Sequence, residues 1–157
     1  MKVLEGCPGS KMLDFRDQDE KEESVGKIKS QLRQWPIQMH LINPTAPYYQ
    51  GADVVLTSDC VAYALGGFHR DYLKGKAIGI ACPKLDHGQD VYVEKVKSWI
   101  DDAKINTLTV MIMQVPCCMG LVSLAKTALQ KSERKIPIKS VVVGLNGEIL
   151  QERWLST

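Results

Sequence analysis

The chain has 157 residues, 45% of them hydrophobic, which is enough to fold as one domain around a sizeable core. Its 20 Lys and Arg side chains are balanced by 18 Asp and Glu side chains, so the charge of +2 provides no strongly basic surface for nucleic acid. The richest apolar stretch, residues 108–124, is broken by Gln114, Pro116 and Gly120, and the N-terminus lacks the apolar run of a signal peptide. We therefore expect a cytoplasmic protein with neither a membrane segment nor a nucleic-acid partner.

The N-terminal region divides into a short segment and the beginning of a domain. Residues 1–23 carry the motif GCPGS and a charged run, whereas residues 24–157 are predicted to form a single α/β domain. A helix is predicted over residues 24–34, because apolar side chains recur there at helical spacing. These side chains are Val25, Ile28, Leu32 and Trp35. Pro36 ends that helix, and a strand is predicted over residues 37–42.

Beyond residue 52, uninterrupted apolar strands alternate with helices. The predicted strands are 53–57, 77–81, 107–113 and 140–145, and the predicted helices are a short one opening at 58–60, then 89–103 and 119–131. Asn146-Gly147 is a two-residue hairpin signal, so the last strand returns antiparallel. The pattern indicates an α/β fold, a three-layer sandwich with a mostly parallel sheet and a C-terminal antiparallel hairpin.

The cysteines follow the predicted strands. Cys60 comes shortly after DVVLT, Cys82 directly after AIGIA, and Cys117 and Cys118 after TLTVMIM. In a parallel sheet these three connections leave from one edge, the carboxyl edge, where open α/β sheets bind their ligands. We therefore expect the four thiols to converge, although each alone could simply pack as a small apolar side chain.

Clustered thiolates suit a soft metal or an iron–sulfur cluster. Cys60, Cys82 and one member of the Cys117/Cys118 pair form the predicted core set, since adjacent side chains diverge. The fourth ligand stays open between the other member of the pair, His69, Asp59, Cys7 and an exogenous group. Cys7 belongs to the turn motif GCPGS, and His69 lies in the glycine-flanked segment GGFHRDYLKGK after Cys60. No spacing matches a zinc finger, and the common nucleotide and hydrolase motifs are missing from the sequence.

Four strings of the sequence carry a resemblance to a known family: GCPGS, QLRQWPIQMHLINPTAPYYQGADVVLTSDCVAYALGGFH, GKAIGIACPKLD and MQVPCCMGL. They resemble the domain that follows the ferredoxin module in 4Fe-4S ferredoxin-type proteins of anaerobic bacteria and archaea. In that family a two-cluster ferredoxin segment usually precedes GCPGS, and no such segment stands before it in the printed sequence. The resemblance implies iron–sulfur binding, electron transfer in an anaerobe and a ferredoxin or other redox protein as partner.

The leading hypothesis is a metal- or iron–sulfur-binding domain for redox chemistry with its cysteines at the carboxyl edge. Two other functions stay open. One is a zinc-dependent lyase or hydrolase with an open metal position for water. The other is a metal-free module that docks on a ferredoxin or reductase. Whether the protein is an enzyme is left undecided by the sequence, as are the metal, the substrate and the oligomeric state.

Overall fold

Five strands build the central sheet, and four of them are parallel. The computed structural model describes residues 8–17 and 26–155. The strands of the sheet are β3 (Asp53–Ser58), β4 (Ala77–Ala81), β5 (Thr107–Met113), β6 (Ile138–Val143) and β7 (Ile149–Leu155). Their order is β4-β3-β5-β6-β7, and only the β6–β7 pair is antiparallel. The predicted sheet and its C-terminal hairpin are therefore confirmed.

Helices connect the parallel strands on both faces of the sheet. They are α1 (Val61–Ala64) and a short π-helix (His69–Leu73) between β3 and β4, α2 (Gln89–Asp101) between β4 and β5, and α3 (Met119–Lys131) between β5 and β6. The chain moves from β3 outward to β4 and then back past β3 to β5. Right-handed connections consequently place the first helical segment on one face and α2 and α3 together on the other, and α2 packs against α3.

The two long helices that the sequence predicted each bury one face. In α2 and just beyond it, Tyr92, Val96, Trp99, Ile100 and Ala103 are all buried, and in α3 the buried set includes Leu121, Leu124, Ala125, Ala128 and Leu129. Gly79 in β4 allows Trp99 to approach the sheet, because a Cβ at residue 79 would come within 2.7 Å of the indole ring. The core between sheet and helices is thus closely packed at this point.

The predictions for residues 24–42 are wrong wherever the structure describes them. No helix is present between residues 26 and 34. Instead, Leu13–Asp14 (β1) and Gln34–Trp35 (β2) form a small antiparallel pair. Ile28 is 95% exposed, so the helical spacing of apolar residues did not mark a buried face. The predicted strand at 37–42 is reduced to one parallel bridge between Gln38 and Ile80.

Residues 34–39 cover the outer edge of β4, and we call this region the β4 margin. The Gln34 side chain accepts from Ile78 N at 2.8 Å and donates to Ile78 O at 2.9 Å, so its amide pairs with the strand as a peptide group would. Further along, Ile80 N donates to Ile37 O and Met39 N donates to Ile80 O. An edge strand is thereby closed without a full neighbouring strand.

No helix within residues 8–17 and 26–155 is long and apolar enough to cross a membrane.

Candidate functional site

The site predicted from the sequence lies at the carboxyl edge of three neighbouring strands. We call it the thiol edge and define it as residues 58–60 after β3, 82–86 after β4 and 114–118 after β5. Because β3 stands between β4 and β5, the β3 connection is flanked by the other two. The connections that leave the neighbouring strands β3 and β5 lie on opposite faces of the sheet, and such a switch point opens a crevice at the carboxyl edge.

The β3 connection presents an exposed thiol. Asp59 N still donates to Ala81 O of the neighbouring strand, so the pairing continues one residue beyond β3. Cys60 then serves as the N-cap of α1, without a hydrogen bond from its side chain. Cys60 is exposed, and its sulfur is accordingly free of the packing role that many buried cysteines have.

The β4 connection is a closed loop built around Asp86. Its Oδ2 accepts from Cys82 N at 2.9 Å and from the Tyr92 hydroxyl at 2.7 Å, while Asp86 N donates to Cys82 O. Asp86 therefore does not cap α2. The N-cap is Gly88, which has a left-handed conformation. This loop holds Cys82 half-buried beside Tyr92.

The adjacent cysteines after β5 have different surroundings. Pro116–Cys118 forms a short 3-10 helix that leads into α3, and within it Cys117 is exposed while Cys118 is buried. Burial raises the pKa of the Cys118 thiol, against smaller lowering effects of the Met113 backbone and the Ser58 hydroxyl. A buried thiol with a raised pKa is a poor source of thiolate. The exposed Cys117 is consequently the better ligand of the pair.

Two buried oxygen atoms at the end of β3 find no hydrogen-bond partner among the described residues. They are Ser58 Oγ and Asp59 Oδ1. Ser58 lies close enough to Cys118 to affect its pKa, yet no hydrogen bond of ordinary geometry joins them. Burial, and then the charge of Asp86, raises the pKa of Asp59 above its usual value. Unpaired buried polar atoms in a crevice are typical of a site that meets a ligand or ordered water.

His69, another predicted ligand, is not brought to the thiol edge. His69 is half-buried at the start of the π-helix, and its Nδ1 accepts from Gln31 N at 3.0 Å. Cys7 lies outside the described residues, although Gly9 O in the same motif accepts from Trp35 Nε1 at 2.9 Å. Over residues 8–17 and 26–155, no group of three or more His, Cys, Asp and Glu side chains is arranged to hold a metal ion. The thiols therefore share an edge without forming a complete metal site.

Exposed apolar side chains follow the same strands as these thiols, and we call the set the rim. It consists of Tyr63 (94% exposed), Leu85 (72%), Leu145 (64%) and Met119 (54%), one from each connection at the carboxyl end of the sheet. The connections touch one another. Leu145 N donates to Gln114 Oε1 at 2.7 Å, and Pro83 lies against the Gly120 backbone, where a Cβ would be 3.2 Å away. The connections that carry the rim and the thiols thus lie at the same end of the sheet.

A Rossmann-like domain family model matches residues 46–156, which includes the whole five-stranded sheet. The chain belongs to this Rossmann-like domain family. An uncharacterized protein of Archaeoglobus fulgidus is 28% identical to it over 121 residues, which cover 76% of this chain and 83% of the relative. No solved structure matches. The predicted α/β fold is confirmed by this Rossmann-like family, whereas the link to ferredoxin modules stays a prediction.

Sequence reasoning missed two features of this Rossmann-like domain's site. Asp86 organises the Cys82 loop, but in the sequence KLDHGQD it is typical of a helix cap. The apolar rim was also missed. In a chain with many buried apolar residues, the sequence does not distinguish an exposed apolar residue such as Tyr63 or Met119 from a buried one. Ser58 offered a detectable signal, since a serine at the end of a buried apolar strand needs a partner.

Proposed function

We propose that the thiol edge supplies thiolate ligands to a soft metal centre, in the first place an iron–sulfur cluster, and that the protein acts in electron transfer. The observation that carries this proposal is the position of Cys60, Cys82 and Cys117 after three neighbouring strands, with two of the thiols exposed. A cluster, when bound, supplies one-electron chemistry. The resemblance to domains associated with ferredoxin modules supports a ferredoxin or other redox protein as the partner.

The thiols of the thiol edge have the chemistry that a soft metal needs, but one chain presents fewer of them than a complete site requires. Cys60 and Cys117 offer exposed sulfurs, and soft metals prefer thiolate over the oxygen ligands nearby. Asp86 holds the Cys82 loop in position through the Cys82 N–H. A tetrahedral zinc site or a common iron–sulfur cluster uses four protein ligands, however, and the described part of one chain does not assemble three.

Metal analysis of anaerobically purified protein tests the proposal. Wild-type protein reconstituted with ferrous iron and sulfide should hold both elements and absorb visible light, whereas a zinc protein would be colourless. We expect Cys60→Ser and Cys117→Ser each to lower the iron and sulfide content at least fivefold, because serine is a harder and poorer ligand.

Cys118→Ser is the matched control, since it makes the same chemical change one residue away at a buried thiol. It should keep wild-type metal content. If wild type holds no iron, sulfide or zinc after reconstitution, the metal proposal is wrong and the metal-free docking module takes its place. If the Cys117 and Cys118 variants lose equal amounts of iron and sulfide, the exposure of a thiol does not determine whether it binds the metal.

A further inference from the structure

Two cysteines of the described chain are exposed, which is half the number of thiols that a four-thiolate site would need. Cys60 and Cys117 are the two exposed cysteines among the described residues, and they follow the adjacent strands β3 and β5. Cys82 is half-buried and Cys118 is buried, so neither is as accessible as the exposed pair. Structural zinc and iron–sulfur sites close with four ligands. Two further thiolates must therefore come from outside this set.

We infer that a second copy of this chain supplies them, so that Cys60 and Cys117 of each copy together hold one shared metal centre. This inference rests on the proposed function and adds the identity of the partner. A two-fold axis brings the same surface patch of both copies face to face, and any residue in the patch is then present twice. An axis that passes near the exposed thiols would convert two thiolates into four without any change of fold.

The connections at this end of the sheet also carry exposed apolar side chains. These are Tyr63, Leu85, Met119 and Leu145. A patch of exposed apolar residues on a soluble domain commonly marks an interface. The core of an interface is depleted in charge, and the connections over residues 59–66, 82–88, 114–119 and 144–148 carry few charged side chains. These are Asp59, Lys84, Asp86 and Glu148.

The size of this surface is adequate for a dimer stabilised by a metal. An interface of standard size buries roughly 800 Å² on each partner, and a single large aromatic side chain can bury roughly 150–250 Å². Tyr63 at 94% exposure and three large aliphatic side chains account for much of that area before any backbone is counted. A shared metal adds binding free energy, so the dimer should depend on the metal.

A second copy is the occupant because the incomplete set of thiols and the apolar rim lie at the same end of the sheet. A partner of another kind would have to bring both thiolates and a matching apolar patch. The same chain already possesses both. Its low charge at this edge also means that two copies can approach without strong repulsion.

The test measures stoichiometry and oligomeric state together, with Zn²⁺ alone as the probe. Reduced full-length protein should be a monomer without metal and a dimer with one Zn²⁺ per two chains after titration, as measured by light scattering and metal analysis. A chelator should reverse the change. Cys60→Ser and Cys117→Ser should abolish the metal-dependent dimer, whereas Cys118→Ser, at a buried thiol, should retain it.

Tyr63→Ser separates the rim from the ligands, because it removes apolar surface and leaves every thiol in place. We expect it to raise the dissociation constant of the metal-loaded dimer at least tenfold, the usual effect of removing a large interface aromatic. Trp154→Ser is the control. Trp154 is also an exposed aromatic, but it pairs with Lys139 at the other end of the sheet and should have no such effect.

Other results would overturn the inference. One Zn²⁺ per monomer, lost in Cys82→Ser, would show a site completed within one chain and would leave the proposed function intact. Absence of metal from the wild-type protein would refute the proposed function and the shared site together. A dimer that forms equally well without metal, or in Cys60→Ser, would show that the thiols do not join the two copies.

Discussion

The β4 margin and the thiol edge both border the sheet, but they treat their polar groups differently. At the β4 margin the exposed side of the strand is closed, since the Gln34 amide bonds both polar groups of Ile78 and residues 37–39 bond Ile80. At the thiol edge, Ser58 Oγ and Asp59 Oδ1 are buried without a described partner, and thiols and apolar side chains face solvent.

The two regions differ in whether their polar groups are paired, and this pairing affects stability and ligand binding in opposite ways. Groups that satisfy one another inside the chain stabilise the fold and leave nothing to bind a ligand. Groups that lack a partner lower stability and are retained where something else meets them. Unpaired buried atoms alone do not identify a site, because Tyr48 OH and Trp99 Nε1 are also unpaired in the core. At the thiol edge they lie on the same connections as exposed thiols, and the proposed function rests on that combination.

The largest expected loss of stability comes from the core beneath the β4 margin. Trp99 is fully buried, contacts Tyr49 at 5.1 Å between ring centroids and packs against Gly79. Trp99→Ala should lower the free energy of unfolding by about 3–5 kcal/mol, because it leaves a large cavity. Denaturant unfolding measures this, with Val91→Ala on the exposed face of α2 as the control. Similar midpoints for both variants would contradict the packing described for α2.

A substitution at Gly79 should have the next largest effect. An added Cβ would meet the Met39 sulfur at 2.6 Å and the Trp99 ring at 2.7 Å. Met39 can move aside, but the buried indole cannot, so Gly79→Ala should cost about 3 kcal/mol, at the upper end of the usual cost of overpacking. Gly66→Ala is the control, because a Cβ there meets nothing within 4 Å. Thermal melts that show no difference between the two would disprove this close approach.

Loss of the Gln34 amide should have a smaller effect, confined to the β4 margin. Gln34→Met keeps the length of the side chain and removes its polar group, so Ile78 N loses its acceptor. We expect a loss of about 2 kcal/mol, within the range for a buried donor left unpaired. Tyr49 OH still donates to Ile78 O, which limits the effect. Hydrogen exchange of the Ile78 amide should accelerate, whereas Gln50→Met at an exposed position should leave it unchanged.

The smallest effect on stability is expected at the thiol edge. Cys60→Ser changes an exposed side chain that caps α1 without a hydrogen bond, so the metal-free protein should unfold within about 0.5 kcal/mol of wild type. The same substitution should remove metal binding. A variant that loses stability without metal would assign Cys60 a structural role and would weaken the contrast between the two regions.

Much of the fold was predictable because its signals are local. Strands such as TLTVMIM are continuous apolar runs, and α3 has a buried face at helical spacing with bounds that match the prediction. Residues 26–42 were mispredicted because their structure depends on distant partners. Gln34 is buried through bonds to Ile78 and Tyr49, and Trp35 reaches back to Gly9. No pattern of neighbouring residues encodes such contacts.

The sequence predicted the position of the candidate site at one edge of the sheet, but not which of its thiols are exposed. Placement of the cysteines after strands predicts a common edge, because parallel strands all end on the same side. The availability of each thiol depends on how its connection folds, and only the structure distinguishes Cys117 from its buried neighbour Cys118.

The sequence by itself determined the alternation of strands and helices, the hairpin at Asn146-Gly147 and the position of four cysteines after strands of a parallel sheet. These follow from hydrophobic period and turn chemistry, which act between residues close along the chain. The tertiary structure alone decided that Gln34 closes the edge of β4 and that Asp86 holds the Cys82 loop. It also decided that no group of three His, Cys, Asp or Glu side chains among the described residues is arranged to hold a metal ion. Those outcomes depend on side chains that meet across the fold, where burial and hydrogen-bond partners are set by packing rather than by sequence neighbours.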